Sequence, residues 1–205
     1  MKNKNNNSYR LTEEYIFEYL RDEYKGEAQS EKCKVINLTP LVQKDYGLAL
    51  DCTLTSITTI IYYLVKEKEI THEIYEVVEK IAKKYFYNGE KLGTIPIFIK
   101  KIFDESLRKF LPNKRINSKQ FIFKQIGYNW NKLCKEIDNN NPVILSIWND
   151  GRNYYKNHTV TVIGYRIFKV NNKKIKTLII YDNWSKAKSY LDFKKLYGIS
   201  SVNYF

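Results

Sequence analysis

The hydrophobic period of this chain changes at Pro142, and that change restricts the fold more than any other feature. Before it, apolar residues recur three and four positions apart: Leu54, Ile57, Ile61 and Leu64, then Ile74, Val77, Val78, Ile81 and Tyr85, then Trp130, Leu133, Cys134 and Ile137. Such spacing lines one side of a helix. The expected helices run from Thr12 to Tyr24, from Asp51 to about Lys66, from Thr71 onward, from Thr94 to Leu111, and from Trp130 to the Asn139–Asn141 turn. Thr12 and Asp51 are expected N-caps, Gly26 a stop, Pro96 a first-turn residue, and Pro112 lies just past an end. After Pro142 the chain reads as β-rich runs over 143–148, 158–169 and 175–182, the last two joined by a turn at Asn171–Asn172. Residues 188–193 and 200–205 predict edge strands. Helices first and strands last predict an α+β domain with an antiparallel sheet, not alternating βαβ units. Residues 1–10 read as loose, and 27–50 as irregular, punctuated by Pro40 and Gly47.

No linker or repeat divides the 205 residues, so 1–205 is read as one domain. The +13 formal charge comes from scattered lysines, without a basic run or a nucleic-acid motif, and reads as a solvated basic surface. The three cysteines, Cys33, Cys52 and Cys134, lack zinc-site spacing and do not suggest a disulfide framework, which fits a reducing compartment. No segment has the length and apolarity of a membrane span, and Met1–Asn7 lacks a signal core, so a cytoplasmic location is expected.

Cysteine chemistry needs a thiolate, which a helix N-terminus, a nearby imidazole and a partner for that imidazole can supply together. Cys52 opens the helix that follows Asp51, where the first N–H groups lack intrahelical partners and can stabilise an oxyanion. The Asp51 carboxylate would oppose a thiolate, so it is expected to turn toward the following amides as a cap. His158 starts one strand and Asp182 ends the next. In a hairpin the two meet at one open end, where the Asp182 carboxylate can accept from one imidazole nitrogen while the other faces the sulfur.

Three motifs carry a family resemblance. Asp51-Cys52-Thr53-Leu54-Thr55-Ser56-Ile57 resembles the nucleophile segment of papain-like cysteine peptidases, closest to their bacterial C39-like branch. Asn157-His158-Thr159-Val160-Thr161-Val162-Ile163-Gly164-Tyr165 resembles the histidine strand, and Tyr181-Asp182-Asn183-Trp184 resembles the third element. Asn141-Pro142-Val143-Ile144 resembles the strand that enters the sheet. The resemblance implies a papain-like fold, with N-terminal helices packed on a C-terminal antiparallel sheet. It implies a Cys52–His158–Asp182 triad, a thioester intermediate, a peptide or protein substrate, and no metal or organic cofactor. The family's oxyanion-hole Gln usually stands closer to the cysteine, where this chain has Tyr46. Gln43, nine residues before Cys52, takes that role if the intervening loop is three residues longer, and otherwise Tyr46 donates.

Other residues read more plainly. Cys134 belongs to a helix's apolar stripe, Cys33 to a loop without a role, and His72 to the surface. Tyr154–Tyr155 reads as a solvated loop and Trp184 as packing that can shield the His–Asp contact. Asn183 is an alternative imidazole partner, which strand alternation points away. Acyl transfer to an amine, a non-catalytic peptide-binding module and a basic nucleic-acid binder are the competing functions.

Overall fold

A computed structural model describes residues 10–46, 50–66, 70–114, 118–125, 130–147, 154–155 and 157–204. Its helices are α1 (Ile16–Tyr24), α2 (Cys52–Val65), α3 (Thr71–Lys83), α4 (Ile99–Phe110) and α5 (Trp130–Asp138). Its strands are β1 (Leu11–Thr12), β2 (Gln29–Val35), β3 (Lys119–Gln125), β4 (Val143–Ile147), β5 (His158–Val170), β6 (Lys173–Tyr181), β7 (Lys188–Asp192) and β8 (Tyr197–Tyr204). All strand pairs are antiparallel, in the order β1-β7-β6-β5-β4-β8-β3, with β2 on β5. The chain is therefore α+β; α2, α3 and α5 fall where the apolar period places them, and α4, expected from Thr94, begins at Ile99 after a 3₁₀ turn at Pro96–Phe98.

The β5–β6 hairpin turns at Asn171 and Asn172, with φ of 47° and 61°. Two successive left-handed residues match the twist of the flanking strands, and asparagine tolerates that conformation. Along one edge β5 changes partner. Its His158–Val162 half pairs with β4, and the half beyond Gly164 pairs with β2. Gly164 permits the change, because a Cβ there would lie 2.5 Å from the Lys34 carbonyl oxygen.

The sheet separates two apolar layers. Val143, Leu145 and Ile147 of β4 join one cluster with Ile16 and Leu20 of α1 and Leu133 and Ile137 of α5. Ile144, on the opposite face, joins Leu54, Ile57 and Ile61 of α2, Val78 of α3 and Phe103 of α4. On α2, Leu54, Ile57, Ile60 and Ile61 are all fully buried. Each such side chain contributes about 1.5–3 kcal/mol by leaving water. The helix that carries Cys52 is thus fixed by its core face.

Several expectations are corrected. Thr12 caps nothing: it pairs with Ser189, and the helix begins at Ile16 after Tyr15. Its end is at Tyr24, and Gly26 serves chiefly to admit the Asn171 side chain, which donates to the carbonyls of Tyr24 and Lys25. The stretch read as irregular contains β2, whose sequence QSEKCKV has no apolar alternation because most of the strand faces solvent. Cys33 therefore lies in a strand. Strand β8 is no edge, since it lies between β4 and β3, and β7 is covered by β1. Strand β3 falls where no element was expected. Residues 1–9, Gly47, Trp148, most of the 149–157 turn and Phe205 lie outside the described residues.

Candidate active site

Cys52 is the first residue of α2, and the first intrahelical bond runs from Thr55 N–H to Asp51 O at 2.8 Å. The amides of Cys52, Thr53 and Leu54 precede it and point out of the helix end. Asp51 does not cap with its side chain. Its buried carboxylate accepts from the Tyr75 and Tyr87 hydroxyls instead. This corrects the capping expectation: two phenols from α3 and the segment after it draw the charge off to one side of the helix terminus.

A polar seam inside the core sets the position of α2 against the sheet. Thr53 Oγ1 lies 2.9 Å from Thr159 Oγ1, which lies 2.9 Å from Ser146 Oγ on β4. Asn183 is fully buried, and its Nδ2 is 2.9 Å from Cys52 O, 2.8 Å from Ser56 Oγ and 2.9 Å from Thr159 O. One amide thus ties the start of α2 to β5. Asn183 has φ of 65°, and this left-handed turn sends its side chain toward α2 and away from the imidazole.

The sulfur and the ring line the same cleft, and His158 and Thr159 are the groups that act on the Cys52 thiol there. Burial works against the thiolate, but His158 and Thr159 outweigh it, and the Cys52 thiol lies below its ordinary pKa. Cys52 remains partly exposed. Cys134 shows the contrast: burial, with Asp138 nearby, pushes its thiol up to about 11. Cys33 is exposed.

The imidazole partner differs from the expected one. His158 Nε2 lies 2.6 Å from the main-chain oxygen of Asp182, not from its carboxylate. A carbonyl only accepts, so Nε2 carries the proton and Nδ1 is left for the sulfur. The Asp182 carboxylate is fully buried and otherwise engaged. Oδ1 accepts from the amides of Trp184 at 3.1 Å and Ser185 at 3.4 Å, in an Asx-type turn. Oδ2 meets Arg10 Nε at 2.6 Å, the Tyr155 hydroxyl at 3.1 Å and Ser189 Oγ at 3.5 Å. Arg10 itself, read as part of a loose terminus, is held firmly at this turn.

Two aromatics cover the ring. Trp184 stands 4.2 Å from it and Tyr155 5.6 Å, nearly parallel, with Tyr155 and Trp184 5.4 Å apart. Tyr155 is buried, not solvated as expected; Tyr154 is 40% exposed. Nothing in the pattern around Tyr155 signals this, because its neighbours Asn153, Lys156 and Asn157 are polar.

Gln43 is buried in a short 3₁₀ turn, and its N–H donates to Asn183 O at 2.7 Å. It therefore borders the residue that holds Cys52. Residues 47–49, in the loop between Gln43 and Cys52, lie outside the described residues. The Tyr46 ring stacks on Tyr75 at 4.1 Å, and burial pushes its phenol up to about 12. His72 is exposed on α3, near Tyr46.

A cleft of about 520 Å³ opens over the pair. Cys52, His158 and Thr159 line it, with Leu50, Leu92, Ile95 and Pro96 as an apolar wall and Lys91 as a charged member. Among the described residues, no cluster of three His, Cys, Asp or Glu side chains could hold a metal ion. No helix among them is long and apolar enough to cross a membrane.

A family model described as the Peptidase C39-like family matches residues 35–200. The chain belongs to that family. The match takes in the Cys52, His158 and Asp182 segments together with Gln43, and it suggests a cysteine-peptidase type of function. No curated protein matches the chain.

Proposed function

We propose that this C39-like protein is a cysteine hydrolase, a peptidase on a papain-like fold, with Cys52 as nucleophile and His158 as acid and base. The observation that carries this reading is Cys52 at the start of α2, lining one open cleft with His158, which helps hold its thiol below the ordinary pKa. The layout of helix α2 against an antiparallel sheet supports the papain-like reading.

In the first half-reaction the thiol proton passes to His158 Nδ1, and the sulfur adds to the peptide carbonyl carbon. The oxyanion is held by the outward amide of Cys52 and the carboxamide of Gln43. As the tetrahedral intermediate collapses, the C–N bond breaks. His158 protonates the departing amine, and the acyl group stays on sulfur as a thioester. In the second half, His158 takes a proton from water, hydroxide adds to the thioester carbonyl, and the C–S bond breaks to free the acid and the thiol. Asp182 acts through its carbonyl, which fixes the ring with Nε2 protonated and Nδ1 toward the sulfur. No organic or metal cofactor enters these steps. The substrate is a peptide or protein strand laid in the cleft.

The test is incubation of the protein with a peptide library, followed by mass spectrometry of new termini. Cleavage by wild type that is absent in Cys52→Ala and His158→Ala establishes the activity. If no peptide is cut and Cys52 labels with iodoacetamide no faster than Cys33 and Cys134, the chain is a binding module. Products joined to an added amine would show acyl transfer instead.

A further inference from the structure

Arg10 lies outside the family-matched residues 35–200, yet it contacts the turn that holds the imidazole. Its Nε lies 2.6 Å from Asp182 Oδ2 and 2.7 Å from Ser189 Oγ. Its Nη2 donates to Ser185 Oγ at 2.7 Å and to Ala187 O at 3.1 Å. Every one of these partners belongs to the 182–189 segment, the loop after β6 and the first residues of β7. The pairing of Leu11 and Thr12 with Tyr190 and Ser189 anchors Arg10 there from its own backbone.

We propose that Arg10 is a positioning residue for His158, acting through Asp182. The inference rests on the reading of His158 as acid and base. Asp182 works at both ends of one residue: its carbonyl accepts from His158 Nε2, while its carboxylate is held by Arg10. A buried charge without a counter-charge is strongly disfavoured, so the side chain would swing toward water if Arg10 were lost. That response moves the residue whose carbonyl orients the ring. The Asp182 side chain is fully buried, which removes the screening that makes most surface ion pairs weak. Among the described residues, the remaining contacts of that carboxylate are neutral: the Tyr155 and Ser189 hydroxyls and the Trp184 and Ser185 amides. Arg10 is thus the cation that meets it, supplied by a strand segment the family match does not include.

The experiment compares wild type with R10A, R10K, D182N and R10A/D182N by two readouts. One is the site-specific rate of Cys52 carbamidomethylation by iodoacetamide. The other is the ring-nitrogen NMR spectrum of His158, which is resolvable because His72 is the sole other histidine. In R10A the alkylation rate is expected to fall about ten-fold or more, since a misplaced partner of this kind costs reactivity steeply. The Nε2–H signature of His158 should be lost in R10A and largely restored in R10K, with His72 unchanged. In the D182N background, which has no buried charge to balance, adding R10A should change the rate by less than about two-fold, the non-additivity of groups acting in series. The proposal is overturned if R10A leaves the His158 spectrum as in wild type, or if R10A has the same effect in both backgrounds. Should R10A fail to fold, R10Q, which keeps hydrogen bonding without the charge, takes its place in the same comparison. The spectrum reads the inference even if Cys52 proves unreactive, which would count against the peptidase reading instead.

Discussion

The side-chain nitrogen of Asn183 lies 2.9 Å from the carbonyl oxygen of Cys52, so the loop after β6 holds Cys52 by its own backbone. The same amide reaches Ser56 and Thr159, and it is what sets the sulfur and the imidazole strand at a fixed separation.

Removing that amide should therefore loosen both the fold and the site. Asn183→Ala is expected to cost about 2–3 kcal/mol, given that each buried hydrogen bond contributes roughly 0.5–1.5 kcal/mol and its acceptors are left unpaired. Urea unfolding measures the loss, and the alkylation rate of Cys52 should fall with it. An alanine variant as stable and as reactive as wild type would show that the seam is not needed.

The Cys52 thiol is held below its ordinary value by His158 and Thr159 against the opposing effect of burial. A lowered pKa means that thiolate, and hence alkylation, appears at a lower pH than for a free thiol near 8.5. In His158→Ala the largest lowering contribution disappears while burial remains, so the rate curve should move to higher pH. Cys134, pushed up to about 11, should stay nearly inert at neutral pH. An unmoved Cys52 curve in His158→Ala would contradict the coupling.

Gln43→Ala should reduce kcat by about 10²–10³ with little change in KM, the usual cost of losing one oxyanion donor. Tyr46→Phe should leave kcat near wild type, because the Tyr46 ring, which the substitution keeps, is held by stacking on Tyr75. The opposite ranking in a peptide-cleavage assay would transfer the donor role to Tyr46.

Tyr87 joins the site to its cleft wall. Its hydroxyl donates to the buried Asp51 carboxylate, and the chain then runs on to Leu92, Ile95 and Pro96 of the cleft. Tyr87→Phe should destabilise by about 1–3 kcal/mol, because a buried carboxylate loses one of its donors. Thermal melting checks this loss. The variant should also raise KM in a peptide-cleavage assay, since the segment that follows Tyr87 lines the cleft.

Much of this arrangement is legible in the sequence. The apolar spacing of Leu54, Ile57 and Ile61 makes α2 a buried helix wherever it packs, and Cys52 necessarily stands at its start. The Asn171–Asn172 turn dictates the β5–β6 hairpin, which brings His158 and Asp182 to the same end. These are local consequences of period and backbone preference, carried by neighbouring residues. What only the tertiary structure decided concerns contacts between distant segments. Strand β2 exists because β5 offers it an edge, not because QSEKCKV favours a strand. Tyr155 is buried because His158 and Asp182 surround it. Most of all, the choice between the carbonyl and the carboxylate of Asp182 depends on Arg10, far away along the chain. A charge goes to the counter-charge that tertiary packing brings beside it, and no local pattern encodes which one that will be.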